Sequence, residues 1–173
     1  MIKKLILLVI FLKCVGASFS QTKIFKINSG DDTSEILKPL YSKKVGFNFR
    51  IAENGYKIIK KDSVLSFRVC YIFLNGGQYS KEQIDSLREK IISIYQRGTY
   101  FPILASQYTM DGNLSGDTKW FTEGVMVKAF EDAVRAHKKG DVFTVDLVEQ
   151  NWYYVVLKTY DDTYIKTLTI QRQ

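Results

Sequence analysis

The chain has 173 residues, 46% of them hydrophobic, which suits one globular domain with an appendage and not two full domains. Its 25 Lys and Arg outnumber 18 Asp and Glu, but they are scattered without a long block, so the charge gives nucleic-acid binding little support. One histidine and two cysteines leave no cluster with metal-ligand spacing, and no metal or cofactor is expected.

The first twenty residues, MIKKLILLVIFLKCVGASFS, have two early lysines, a short apolar run and small residues at Ser18 and Ser20. That pattern reads as a secretory signal peptide cut before Gln21. The run is short for a membrane span and is interrupted by Lys13. Lys13 also stands where a lipid-attachment motif at Cys14 would need a small residue. Without this segment the chain keeps 22 basic and 18 acidic residues, a net charge of +4, and one cysteine, Cys70. A single cysteine makes no internal disulfide, so the core must suffice.

Residues 21–62 mix short alternating runs with turn signals. Asn54-Gly55, between FNFRIAE and YKIIKK, predicts a hairpin with strands over Val45–Ile51 and Tyr56–Lys60. The segment reads as an N-terminal extension, either a dock for a partner or an extra edge on the catalytic domain. Ser66–Leu74 (SFRVCYIFL) predicts a buried strand, with Phe67, Val69, Tyr71 and Phe73 on one side and Arg68, Cys70, Ile72 and Leu74 on the other. Ser80 and Gln83 form a capping box for a helix over Lys81–Arg97, closed by Gly98. Pro102 suits the first turn of a second helix. A third helix is predicted from Val125 to Ala136, and strands over Val142–Val148 and Trp152–Tyr160. IKTLTI is a last strand or an extension. The order strand, helix, helix, helix, strand, strand indicates an α+β fold with helices packed around a small sheet.

The run FPILASQYTMDGNLSGDTKWFTEGVMVKAFEDA, Phe101–Ala133, concentrates the chemistry. On a helix starting at Val125, Met126 and Phe130 share a face, and Phe121 arrives from the preceding loop. They form an apolar cup with Asp111 on its rim, suited to a proline ring. Spacing alone favours an ordinary core stripe, since such stripes usually face a core. Tyr108-Thr109, Asp111, Gly116-Asp117, Trp120-Phe121, Gly124-Val125-Met126 and Phe130-Glu131-Asp132-Ala133 resemble, in order, the central signature of the parvulin peptidyl-prolyl cis-trans isomerases. The spacer after Asp111 is a little short. The resemblance runs from about Phe67 to about Thr159 and implies a parvulin-like (FKBP-like) antiparallel sheet surrounded by helices over residues 63–173.

It also implies roles. Met126, Phe130 and Phe121 match the proline-pocket positions, Thr118 stands where a leucine is usual, and Asp111 matches the position near the twisting amide. The two usual histidines are replaced by Tyr71 and Tyr154, and the usual glycine ahead of the second by Trp152. Two facing phenols could rebuild a hydrogen-bonded pair, without titrating near neutral pH. The loop Asn75–Tyr79 lacks Arg and Lys, which argues against phosphate-directed specificity. His137, beside Lys138-Lys139, reads as a solvated helix end and Cys70 as core packing.

The resemblance thus implies an exported isomerase, in the periplasm, acting on unfolded or extended proline-containing polypeptides. No membrane span is expected once the signal is removed. The alternative is a catalytically weak or inactive parvulin-like chaperone, or an accessory subunit of an outer-membrane export complex.

Overall fold

Two antiparallel sheets share one continuous piece of chain, and the crossing point is Arg68. The computed structural model describes residues 23–30 and 37–173. The expected signal peptide and Cys14 lie outside the described residues. The first sheet holds β1 (Ile24–Asn28), β2 (Asn48–Ile51), β3 (Asn54–Phe67) and β8 (Thr163–Arg172), in the order β1-β8-β3-β2, with the two-residue β5 (Phe121–Thr122) on the far end of β3. The second holds β4 (Val69–Asn75), β6 (Val142–Leu147) and β7 (Trp152–Lys158), in the order β4-β7-β6. Three helices, α1 (Lys81–Gln96), α2 (Phe101–Tyr108) and α3 (Lys128–Ala136), complete an α+β fold. None of the described helices is long and apolar enough to cross a membrane.

The strand expected over Ser66–Leu74 is split between the sheets. Phe67 ends β3 and Val69 opens β4, while Arg68 turns its guanidinium onto Asp117. The alternation within β4 does hold. Cys70, Ile72 and Leu74 enter one cluster with Ile84, Ile91, Phe101 and Leu104 of α1 and α2. Val69 and Tyr71 enter a second with Phe121, Phe130, Val134 and Val156. Each fully buried Ile, Leu or Phe contributes about 1.5–3 kcal/mol, so β4 with an apolar residue on both faces is the central strand energetically.

The Ser80–Gln83 capping box on α1 is present in both directions, and Pro102 opens α2. Arg88 of α1, buried, donates to the Val145 carbonyl and pairs with Asp146 at 2.6 Å, fixing α1 to β6.

The hairpin of β2 and β3 turns two residues earlier than expected. Ala52-Glu53 forms the loop, and Asn54 and Gly55 already face Ile51 and Arg50 across the ladder. Ala52 takes φ +51°, at a cost of about 1–2 kcal/mol for a residue with a Cβ. The register that requires this stacks Phe49 on Tyr56, 5.6 Å apart, and lets the Gly55 carbonyl accept from the Gln173 N–H. Cross-strand contacts therefore outweigh the local turn preference of Asn-Gly. β3 also runs unbroken through residues 62 and 63, and β8 pairs with it along Tyr56–Ser66. Leu40, Ile58, Leu168 and Ile170 close a third cluster, flanked by Phe25, Ile27, Phe49 and Tyr56.

Candidate active site

β4 and β7 are neighbours with Phe73 opposite Tyr154 and Tyr71 opposite Val156. Tyr71 and Tyr154 therefore lie two positions apart on one face, where long side chains meet diagonally. Their rings meet edge to face, with centroids 5.8 Å apart. Phe130 comes from α3 and completes a triangle, 5.3 Å from Tyr154 and 6.5 Å from Tyr71, both edge to face. Such arrangements are the preferred ones for aromatic quadrupoles.

Met126 packs on this cluster but not from a helix. α3 begins at Lys128, after Val127 as its N-cap. The expected shared helix face of Met126 and Phe130 is thus replaced by another device. The buried carboxylate of Glu131 reaches back and accepts the Met126 N–H at 2.9 Å and the Gly124 N–H at 3.1 Å. Val127 offers no capping side chain, so this acid holds the approach to the helix, where the positive end of the dipole also favours it. Burial pushes the Glu131 carboxyl up, but these N–H groups outweigh it and hold it below its usual value.

Asp111 sits just past α2. Its Oδ2 accepts the Tyr71 hydroxyl at 2.8 Å, and its Oδ1 accepts Thr109 Oγ1 at 2.9 Å and the Asn113 N–H at 3.0 Å. The facing tyrosines therefore touch through their rings, and the Tyr71 hydroxyl is directed to Asp111. Burial raises the Tyr71 phenol; Asn113 lowers it and Asp111 raises it again. Burial, with Tyr71 and Asp111 adding to it, pushes Tyr154 up to about 12. Both phenols stay protonated donors at neutral pH.

Phe121 is buried and faces Phe67, 5.7 Å between ring centres, as part of the cluster beneath Phe130. Thr118 lies at the start of β4, where its hydroxyl lies 3.1 Å from both the N–H and the carbonyl of Val69. Trp152 stacks edge-on against Phe73 at 6.2 Å, further along the same strands. His137 is half-buried, not solvated: its ring lies flat on Phe143 at 3.8 Å, with Nδ1 2.7 Å from the Ala133 carbonyl. Cys70 is buried, and burial with the nearby Asp117 raises its thiol to about 12, which removes it from nucleophilic chemistry.

Three supports of the site escape sequence reasoning. Glu131 is one. Gly116 is the second: at φ +67° its missing Cβ would lie 2.5 Å from the Tyr71 carbonyl, and its own carbonyl accepts the Tyr71 N–H at 2.9 Å. The third is the bidentate pair of Arg68 and Asp117, at 2.9 and 2.6 Å. Burial raises the Asp117 carboxyl, yet Arg68 and the Lys119 N–H hold it below its usual range. The Gly116-Asp117 dipeptide was the available signal for both. Among the described residues no three His, Cys, Asp or Glu are grouped to hold a metal.

Met126, Phe130 and Tyr154 thus form an apolar cluster edged by the Asp111-bound phenol of Tyr71. Residues 55–163 match the PPIC-type PPIase domain, well over half of the chain. The chain belongs to the PPIC-type peptidyl-prolyl isomerase family. A relative is a foldase protein PrsA of Geobacillus sp. (strain WCH70), 38% identical over 76 residues, which are 42% of this chain and 27% of that protein. Among solved structures, PrsA from Bacillus subtilis aligns with 56% of this chain and 35% of its own, at 26% identity and a TM-score of 0.42. The Campylobacter jejuni study of PEB4 and the periplasmic protein Cj1289, described as SurA-like chaperones, supplies another, with 60% and 41% coverage, 20% identity and a TM-score of 0.45. The PPIC-type match begins inside β3 and ends as β8 starts, so most of the terminal sheet stands outside it. The chain spans only about a quarter of the curated relative's length.

Proposed function

We propose that this protein is an exported peptidyl-prolyl cis-trans isomerase that assists the folding of proline-containing envelope or secreted polypeptides, in the periplasm. The observation that carries the reading is the convergence of Met126, Phe130, Tyr71 and Tyr154 on one face of β4 and β7, with Asp111 bound to the Tyr71 hydroxyl. Rotation about an X-Pro bond is slow because the amide must lose its resonance. A catalyst needs no nucleophile for this; it must hold the ring and favour the twisted amide over both planar forms. Met126 and Phe130 hold the ring. The phenols donate, and Asp111 accepts, where the carbonyl and nitrogen change their polarity on losing conjugation. Phe121 shapes the floor, and Thr118 secures the loop to β4. Residues 21–62 capture clients or a partner.

A second reading rests on the phenols. With both raised above their ordinary value they exchange no proton near neutral pH, which favours a groove that binds extended chains without turning them over. In that form the protein is a holding chaperone or an accessory subunit of an outer-membrane export complex. Exchange NMR on short X-Pro peptides separates the two. Accelerated exchange that disappears with Phe130→Leu and falls with Asp111→Ala supports the isomerase. Bound peptides whose exchange rate equals that of free peptide support the holding form. No binding overturns the pocket assignment.

A further inference from the structure

The basic residues that look scattered in sequence are collected by the fold. The segments that build the terminal sheet and its loops, residues 23–66 and 163–173, hold eleven Lys and Arg against five acids, Asp31, Asp32, Glu35, Glu53 and Asp62. Residues 67–162 hold eleven basic residues against thirteen acidic ones. The net positive charge of residues 23–173 is therefore carried by these segments, which lie mostly outside the isomerase-family match, and every one of their eleven basic residues is exposed.

At one place this charge surrounds a shaped apolar tip. The loop Lys43-Lys44-Val45-Gly46-Phe47 leads into β2, with Val45 56% and Phe47 38% exposed. It is held by backbone bonds and not by its side chains. The Gly46 N–H donates to the Ile58 carbonyl at 2.8 Å, the Ile58 N–H to the Phe47 carbonyl at 3.0 Å, and the Phe47 N–H to the Lys44 carbonyl at 3.1 Å. Gly46, at φ +92°, makes the turn that this requires, with open space where a Cβ would stand. Lys61 donates to the Tyr41 and Lys43 carbonyls at 2.8 and 2.7 Å and so pins the base of the loop. Lys57 and Lys60 flank the Ile58 anchor on β3. Lys43 lies 5.1 Å above the Phe47 ring. Two apolar side chains are thus presented at a fixed tip beside Lys43 and Lys44, with Lys61 at its base and Lys60 paired with Asp62 at 2.9 Å.

We infer that this loop and the basic sheet around it dock the protein onto an anionic membrane surface, with Val45 and Phe47 entering the headgroup layer and the lysines meeting lipid phosphates. The partner follows from charge complementarity together with the apolar tip: lysines gain from an anionic bilayer, and exposed apolar side chains gain from the interface beneath it. The arrangement keeps the isomerase body, slightly acidic overall, outside the docking region and its groove open to soluble chains.

The test is flotation of the full-length chain with vesicles of phosphatidylcholine alone or with about 30 mol% phosphatidylglycerol, at low salt and at about 0.5 M salt. All arms retain residues 1–22, so any contribution from them is common. The variants are Lys43→Gln/Lys44→Gln and, separately, Val45→Ser/Phe47→Ser, with circular dichroism and peptide binding checked for each. The proposal expects phosphatidylglycerol-dependent flotation that high salt abolishes, lowered about thirty-fold by the lysine pair, at about 1 kcal/mol per lysine. It expects the apolar pair to reduce flotation as well, and a Phe47→Trp variant to shift its emission to the blue on anionic vesicles only. Flotation that is indifferent to phosphatidylglycerol, or unchanged in folded lysine variants, overturns it. So does capture of polyglutamate in place of vesicles, which would assign the patch to acidic polypeptides.

Discussion

Replacing Glu131 tests the claim that one buried carboxylate shapes the pocket approach. Its two oxygens accept the Gly124 and Met126 N–H groups, and the residue is 3% exposed. A hydrogen bond to a charged group contributes about 1.5–3 kcal/mol. Gly124 is exposed, so its N–H turns to water when the acid is removed, whereas the Met126 N–H loses its partner in a half-buried place. Glu131→Ala should therefore destabilise the fold by about 2–4 kcal/mol at neutral pH. Glu131→Gln keeps one acceptor and should cost about half of that. The folded carboxyl is held below its usual value, so its contribution is full above about pH 4.5 and is lost as pH falls through the folded value. Urea unfolding at neutral and acid pH measures both effects. The gap between the native chain and Glu131→Gln should be widest at neutral pH and close in acid. A neutral-pH cost for Glu131→Ala below about 0.5 kcal/mol would refute the reasoning, as would a gap that acid leaves unchanged.

Four further outcomes are expected. Phe130→Leu keeps most of the buried volume, so stability should change by less than about 1.5 kcal/mol, while X-Pro peptide binding drops at least about ten-fold in titration. Tyr71→Phe removes the hydroxyl bound to Asp111 and should cost about 1 kcal/mol in stability by thermal unfolding. Because both phenols are raised, any isomerisation rate should stay flat in exchange NMR from about pH 6 to 9, their neutral form being lost only above the ordinary tyrosine value. Gly116→Ala places a Cβ 2.5 Å from the Tyr71 carbonyl and 2.8 Å from Cys70 Sγ at φ +67°, so it should destabilise by about 2–4 kcal/mol in urea.

How much was readable depended on the range of the forces involved. The Ser80–Gln83 cap and the two faces of β4 were legible because they rest on residues two to three apart. The pairing of Tyr71 with Tyr154 followed from family resemblance, not from periodicity, since their contact depends on the register of two strands far apart in sequence. The start of α3 was misplaced because Val125-Met126-Val127 continues the apolar pattern. Only Glu131 reaching backward reveals that those residues stand outside the helix, in a bend that ends at the extended Val127. The Asn54-Gly55 turn was misplaced for the opposite reason: a strong local signal gave way to Phe49 on Tyr56 and to β8 on the far edge of β3.

β8 sets the order in which the chain acquires structure. Among the described residues β1 pairs with β8 alone, and β3 pairs with β8 along most of its length. A chain synthesised from its N-terminus delivers Ile24–Asn28 early and Thr163–Arg172 more than 130 residues later. Through that interval β3 has β2 beside it, α1 and α2 cover one face of β4, and β7 finds β6, whereas β1 waits. Pairings of such long range are slow to form and leave strand edges open meanwhile. The waiting strand is short, and Lys23 and Lys26 keep its edge charged. The fold would remain open at one edge until its last strand arrived, and closure of that edge would report that residues 163–172 had been delivered.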